Sequence, residues 1–384
     1  VHLCLDKCIF SLFGFSMSKF AYVGCRTSEW RGARGKGIEV FRIDESGNWH
    51  HVQRVTSVQE NPSWLTLDEN RNRLYVLHGD GNQVAIFARD PVSGMLTLLS
   101  EQTTGPQNPH PDLDPLRRNN PVHASLSPDK RHLLIANHEG GNVAALTFAD
   151  DDALLPPHHL AMVEGHANED GAAASLSRPH EIIFAPDSDY YALPIQGRQA
   201  GNGIDMVRIY HWRDGQSLLT DEVRLPAGSW PRHVDFHPQG KWLYGLSELG
   251  NTITVYDFEP ETGNIALKQT LSSLPEGFEA RNDASEIEVH PSGRFLYAAN
   301  RGHNSIAVMH INPDDGCLKP VGWVFCGGKT PRFTTLSADG LYFYSANEDS
   351  DSIRIFSIDQ NSGMLKDTGK EILTASPTCI VFSG

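Results

Sequence analysis

A unit of about 45–55 residues recurs along the chain, and a repeat of that period limits the fold more than any single motif does. Copies open at Pro62, Pro121, Pro179, Pro231, Ala284 and Pro331. The copy at Pro231, PRHVDFHPQGKWLYGLSELGNTITVYDFEPETGNIALKQTL, shows the plan. A short apolar run meets a Pro/Asp/Gly turn, then a second run, an Asn/Gly turn and a third alternating run. A Thr-Gly or Ser-Gly turn leads into a weaker fourth. Alternation at period two, broken by turn residues about every 8–12 positions, specifies antiparallel strands and not helices. Four such strands per unit make the blade of a β-propeller.

The termini supply a seventh blade. AYVGC and GIEVFRID near the start, with a weaker HHVQRV, lack a first strand, whereas SPTCIVFSG at the end is a first strand with nothing after it. Joined, they complete one blade and leave the ring no free edge. The expected fold is all-β: a seven-bladed β-propeller, four antiparallel strands per blade, as a single domain over residues 17–384. No Pro/Ser-rich or charge-block linker divides it, and 103–119 and 163–177 read as loops between blades. Residues 1–16 read as an N-terminal extension ahead of Met17-Ser-Lys-Phe. The alternative for that segment, a secretory signal, is opposed by Asp6 and Lys7, which interrupt its apolar run.

The formal charge of −15 at pH 7 argues against a nucleic-acid groove or a broad contact with anionic membrane. No apolar run reaches the ~18 residues of a membrane-crossing helix. Cys4, Cys8, Cys25, Cys317, Cys326 and Cys379 are scattered, without a Cys-x-x-Cys pair. They read as reduced thiols in a reducing compartment, taken here as the cytoplasm.

Aligned blades separate what builds the fold from what does not. Structural positions look alike in every copy, so unlike, charged residues at one place point to a site. One such column lies at the head of the first strand: Ser63, Val122, His180, Arg232, Ser285, Arg332 and Thr378. The next position reads Trp64, His123, Glu181, His233, Glu286, Phe333 and Cys379. A second column closes the second strand: Gly79, His138, Glu248, Arg301 and Glu348. Strands one and two are antiparallel neighbours, so the start of one and the end of the other share a propeller face. Both columns therefore converge on one mouth of the channel. Ionisable groups of several types gathered there form a candidate pocket for a charged ligand. The structural alternative is that His123 and His233 with Glu286 brace the channel, and that Glu248 and Arg301 pair between blades.

Other chemistries find no motif. There is no Gly-rich phosphate loop, Gly-x-Ser-x-Gly elbow or His-Glu-x-x-His helix. His158-His159 and the Asp150–Asp152 run lack metal-ligand spacing, and NEDSDS at 347–352 lacks a calcium-loop pattern. Neither a metal nor a cofactor is expected.

The segments PRHVDFHPQG…SELGNTITVYDFEPETG, LPEGFEARNDASEIEVHPSGRFLYAANRGHNSIAV and GGKTPRF resemble the lactonase family of seven-bladed propellers. That family includes propeller-type 6-phosphogluconolactonases and fungal carboxy-cis,cis-muconate cyclase. The resemblance covers residues 19–384 and is densest over 229–360. It implies a catalytic set of His180 in RPHEII, Arg232 in PRHV, Glu248 in SELG and Arg301 in ANRGH, all four already in the two columns. Two departures stand out. Phe333 replaces the acidic residue that usually follows GGKTPR, and LPIQGRQAGNGIDMVRIY carries an insertion around Arg198.

The resemblance implies a metal-independent lactonase acting on a small anionic sugar-acid lactone, 6-phosphogluconolactone by default. His180, with Glu248 nearby, is expected to act as general base and then to protonate the leaving alkoxide. Arg232 and Arg301 are expected on the oxyanion and the anionic group. Arg332, Lys329, His138, Arg198, His233 and Glu286 complete the expected substrate-binding set. Two alternatives remain. Cyclisation of a carboxylated muconate needs the same acid–base group and cations. A non-catalytic interaction platform is open to any propeller, but it has no need of arginines beside a histidine.

Overall fold

The computed structural model describes residues 19–56, 59–106, 118–163, 177–198 and 203–384. The expected extension at 1–16 lies outside the described residues, as does most of the expected loops at 103–119 and 163–177. Seven antiparallel sheets are arranged as blades around a central channel. Blade 1 joins Pro377–Ser383 to Lys19–Cys25, Ile38–Ile43 and Trp49–Val55. Blades 2 and 3 begin with inner strands Pro62–Asp68 and Pro121–Leu126, and blades 5, 6 and 7 with Pro231–Phe236, Asp283–Val289 and Pro331–Leu336. In blade 4 the inner strand is split into Arg178–Pro179 and Ile183–Phe184, both paired with Tyr190–Gln196. Among the described residues no helix is long and apolar enough to cross a membrane.

The middle strands of each blade are covered on both faces by the neighbouring blades. Leu74, Tyr75, Val76 and Leu77 are consecutive and all buried. The outermost strands face water, and Leu96–Thr103 is exposed along most of its length. One polar device ties blades together repeatedly. Tyr22 donates to the Gly94 carbonyl of the next blade at 3.0 Å, Tyr244 to Gly316 at 3.0 Å and Tyr297 to Gly363 at 2.9 Å. Gly94 has φ +73°, and a Cβ there would lie 2.3 Å from the Phe20 ring, so only glycine serves.

The ring closes as the termini require. Phe20 pairs with Ser383, Tyr22 with Val381 and Gly24 with Cys379. Closure satisfies the last strand edge through a segment more than three hundred residues away in sequence.

Each inner strand is irregular at its head. Ser63, Val122, Arg232, Arg332 and Thr378 are each one residue too many for the partner strand. Ser285 and Glu286 together face a single partner residue, and His180, Glu181 and Ile182 face two. These bulges are the first sequence column. In a regular strand, successive side chains point to opposite faces, and a bulge re-aims one of them. Arg232 and His233 therefore line the same cavity, as do Arg332 and Phe333.

A second device fixes the other column. Asn61, Asn120, Trp230, Thr330 and Ser376 precede the inner-strand prolines and hold φ between 46 and 59°. Their carbonyls accept the backbone N–H of Gly79, His138, Glu248, Glu348 and Arg26. For Trp230 and Thr330 the left-handed backbone costs about 1–3 kcal/mol, sustained because it pins those residues at the channel mouth.

The closing strand is expected to carry as much stability as an interior one. Ile380→Ala should cost about 2–5 kcal/mol, matching Ile306→Ala in blade 6, since both side chains are buried. Denaturant unfolding of the two variants measures this, and a negligible effect at Ile380 contradicts the closure.

Candidate active site

The bulges and the pinned strand ends build a cavity of about 250 Å³ at one end of the channel. Its walls include His138, His180, Arg198, Arg232, His233, Glu248, Glu286, Arg301 and Arg332. Nine of the ten residues expected from sequence thus meet in one place. Lys329 is the correction. It is exposed and does not line the cavity, because its turn is held outward by a Ser350 hydroxyl accepting the Lys329 backbone N–H at 2.7 Å.

Glu248 occupies the centre of one arginine cluster. Its carboxylate accepts Arg301 Nη2 at 2.7 Å, Arg198 Nη2 at 2.7 Å and Gln196 Nε2 at 2.9 Å. Burial works against the charge, but Arg301, Arg232 and Arg198 hold the carboxyl far below the usual carboxylate range. Such a group stays ionised, and its carboxylate gathers the surrounding cations. Arg301 is further fixed by the carbonyls of Asp283 and Ala284 at 3.0 and 2.9 Å. Arg198 stacks over Trp230 at 4.4 Å and reaches Gln196, which also meets His138 Nε2 at 3.2 Å.

A second cluster surrounds Glu348, which pairs with Arg26 at 2.9 Å and Arg332 at 3.6 Å. Arg26 was not picked out from sequence. It directly follows the second strand of blade 1, the place held by Glu248 and Glu348 in blades 5 and 7. Arg31, also missed, forms a forked pair with Asp80 at the rim.

Among the described residues six arginines and three carboxyl groups line the cavity, an excess of positive charge inside a protein of net charge −15. The arginines feel it. Burial and then Arg301 pull Arg232 down to about 10, and burial with Arg26 pulls Arg332 well below its ordinary value.

The floor is the position following each bulge. Trp64 packs against His123 at 4.1 Å between ring centroids, Phe333 at 5.8 Å and His233 at 6.0 Å. Phe333, where the resembled family has an acid, thus supports an aromatic floor. His180 lies between His138 and His233, at 5.4 and 5.1 Å. Burial first, and Arg232 next, keep His180 and His233 well below the ordinary imidazole value, so both are neutral at pH 7. His233 Nδ1 contacts Glu286 Oε1, and lies 3.6 Å from Glu181. Glu181, His233 and Glu286 bring donor atoms within 4.8 Å of one another, a metal-ligand spacing contributed by three blades and so without a sequence motif. Glu286 Oε1 contacts His233 and Glu181 Oε2 accepts the Val234 N–H at 2.5 Å, while Glu286 Oε2 has no partner among the described residues.

Comparison with known proteins agrees with this architecture. A family model described as Lactonase, 7-bladed beta-propeller matches residues 20–382. The chain is 29% identical over 322 residues to a 6-phosphogluconolactonase of Bacillus subtilis, covering 82% of this chain and 84% of that protein. It is 26% identical over 316 residues to one from Formosa agariphila, covering 80% and 84%. The solved structure of a periplasmic gluconolactonase of Pseudomonas aeruginosa matches with a TM-score of 0.79 at 26% identity, covering 96% of this chain and 99% of that one.

Removing the Glu248 charge while keeping its shape should expose the arginine excess. Glu248→Gln is expected to lower stability by about 3–5 kcal/mol at neutral pH. Because the folded carboxyl titrates far below its unfolded value, that difference persists at neutral pH and fades only in strong acid. Millimolar inorganic phosphate should recover part of the lost melting temperature. Calorimetry with and without phosphate checks both outcomes.

Proposed function

As a member of the lactonase family of seven-bladed β-propellers, the chain is, we propose, a hydrolase of sugar-acid lactones with 6-phosphogluconolactone as substrate. The observation that carries this reading is the meeting, in one cavity, of buried arginines that outnumber their carboxylates with neutral imidazoles. Lactone opening needs those two things: a base for water, and fixed positive charge where the carbonyl oxygen becomes an oxyanion.

Roles follow from the two clusters. Arg232 is the cation whose charge acts on both His180 and His233, so the carbonyl carbon belongs beside it. A neutral imidazole, His180 or His233, takes a proton from water as the oxygen attacks that carbon. Arg232 and Arg301 stabilise the tetrahedral oxyanion. The intermediate collapses, the ring C–O bond breaks, and the imidazolium returns its proton to the leaving alkoxide, giving the open acid. Arg332 and Arg26, which share one carboxylate, have charge to spare for a dianion at the far end of the substrate. Arg198 and His138 shape the wall through Gln196. The buried free thiols of Cys25, Cys326 and Cys379 support a reducing, cytoplasmic setting.

Assays on 6-phosphogluconolactone, gluconolactone and a muconate-derived lactone test the reading. Arg332→Met should raise KM for the phosphorylated lactone by about 10–100-fold, the worth of a charge-assisted hydrogen bond, with little change on gluconolactone. Arg301→Met should lower kcat on both. Equal losses on both substrates for Arg332→Met contradict a phosphate at that end. A wild-type protein inert on every lactone contradicts the hydrolase reading.

A further inference from the structure

We propose that His233, held by Glu286, is the imidazole that activates water, and that His180 is a substrate-contacting neighbour. The proposal rests on the lactonase reading and deepens it.

The bulge makes Arg232 the extra residue of its strand and leaves His233 paired in register with Leu246. His233 is thereby placed on the channel side, next to the inner strand of blade 6, where Glu286 lies in that strand's own bulge. Both side chains are buried, at 2 and 5% exposure, and Nδ1 meets Glu286 Oε1. The second Glu286 oxygen has no other partner among the described residues. A ring that donates its Nδ1–H to a carboxylate has its tautomer fixed, with the lone pair on Nε2. That nitrogen is the one left to meet the cavity that His233 lines.

Charge decides between the two histidines. When Nε2 takes a proton from water, the imidazolium that forms already faces the Glu286 carboxylate, so the buried pair becomes neutral overall. A carboxylate oriented in this way holds the ring and compensates the charge it acquires. His180 has no such partner: its Nδ1 is buried without a hydrogen bond among the described residues. Its neighbours are two further histidines and Arg232. A proton there is repelled. Burial pushes the Glu286 carboxyl up to about 8, against the pull of Arg232. The carboxylate form of Glu286 that accepts the Nδ1–H is therefore gained as pH rises through that value. In this scheme His233 is the catalytic residue and Glu286 a positioning residue.

The test is steady-state hydrolysis of 6-phosphogluconolactone by the full chain and three variants. His233→Ala should lose kcat by about 100–10,000-fold, with KM within a few-fold, and free imidazole should restore part of kcat. Glu286→Gln should lower kcat with KM kept. His180→Ala should raise KM without imidazole rescue. The reverse pattern, with His180→Ala rescued and His233→Ala active, overturns the dyad while leaving the lactonase reading intact. A wild type inert on lactones overturns both. Activity abolished by a chelator and restored by a divalent cation would mark Glu181, His233 and Glu286 as metal ligands, which also overturns it. Because a variant can fail to fold, the wild-type tautomer is read independently from histidine ¹⁵N shifts at alkaline pH. An Nδ1–H signal for His233 supports the dyad, and an Nε2–H form refutes it.

Discussion

The head of every inner strand carries more residues than its partner can pair, and the chemistry of the cavity depends on that excess. A propeller channel lined by regular strands presents every second side chain, which suffices for packing but not for a polar site. The bulge turns consecutive residues inward, so a guanidinium at the rim and an imidazole on the floor come from neighbours such as Arg232 and His233. The irregularity occurs in all seven blades, including those that place the uncharged Ser63, Val122 or Thr378 in the bulge. It is therefore a property of the scaffold that a few blades exploit. The split inner strand of blade 4 is its extreme form. There the Ile182 N–H leaves the ladder and donates to His123 Nδ1 at 3.3 Å, tying the blade to its neighbour at the level of the floor.

Electrostatics then follows from burial. Guanidinium groups withdrawn from water are held by too few carboxylates, and Glu248 and Glu348 each serve more than one. A buried charge without full compensation is costly, so this cavity gains when an anion enters. The protein's overall negative charge keeps that attraction local. On the floor the balance is reversed. Glu181 and Glu286 are both pushed up, by burial and, for Glu181, by the other carboxyl, so protons are retained there. A cationic wall above a proton-holding floor suits a reaction that develops negative charge on oxygen and moves one proton.

Much of the site was readable because repetition supplies an internal reference. His180, Arg232, Glu248 and Arg301 stand out once six copies are superposed, and all four line the cavity. The same method failed where the copy was broken. Arg26 occupies an informative position in blade 1, but the second column, read over Gly79, His138, Glu248, Arg301 and Glu348, stops short of that blade although Thr378 places it in the first. Lys329 failed for the opposite reason: proximity to the informative Arg332 suggested a shared role, whereas its turn faces outward. Partner choice was also out of reach. Glu248 is expected near His180, and both line the cavity, but its hydrogen bonds go to Arg301, Arg198 and Gln196, because sequence columns give the level of a residue in the channel but not its bearing across it.

The sequence by itself determined the strands, their number per blade, the closure by the termini and the channel end that carries charge. Period-two alternation and turn residues are local, and a repeat multiplies their signal until one architecture remains. Tertiary structure alone decided which groups touch. His233 meets Glu286 across the boundary between blades 5 and 6, Arg26 meets Glu348 across the boundary between blades 1 and 7, and Glu181, His233 and Glu286 converge from three blades. Those contacts depend on the angle at which blades pack around the ring, which is set by summed side-chain volume between sheets and by no short stretch of residues.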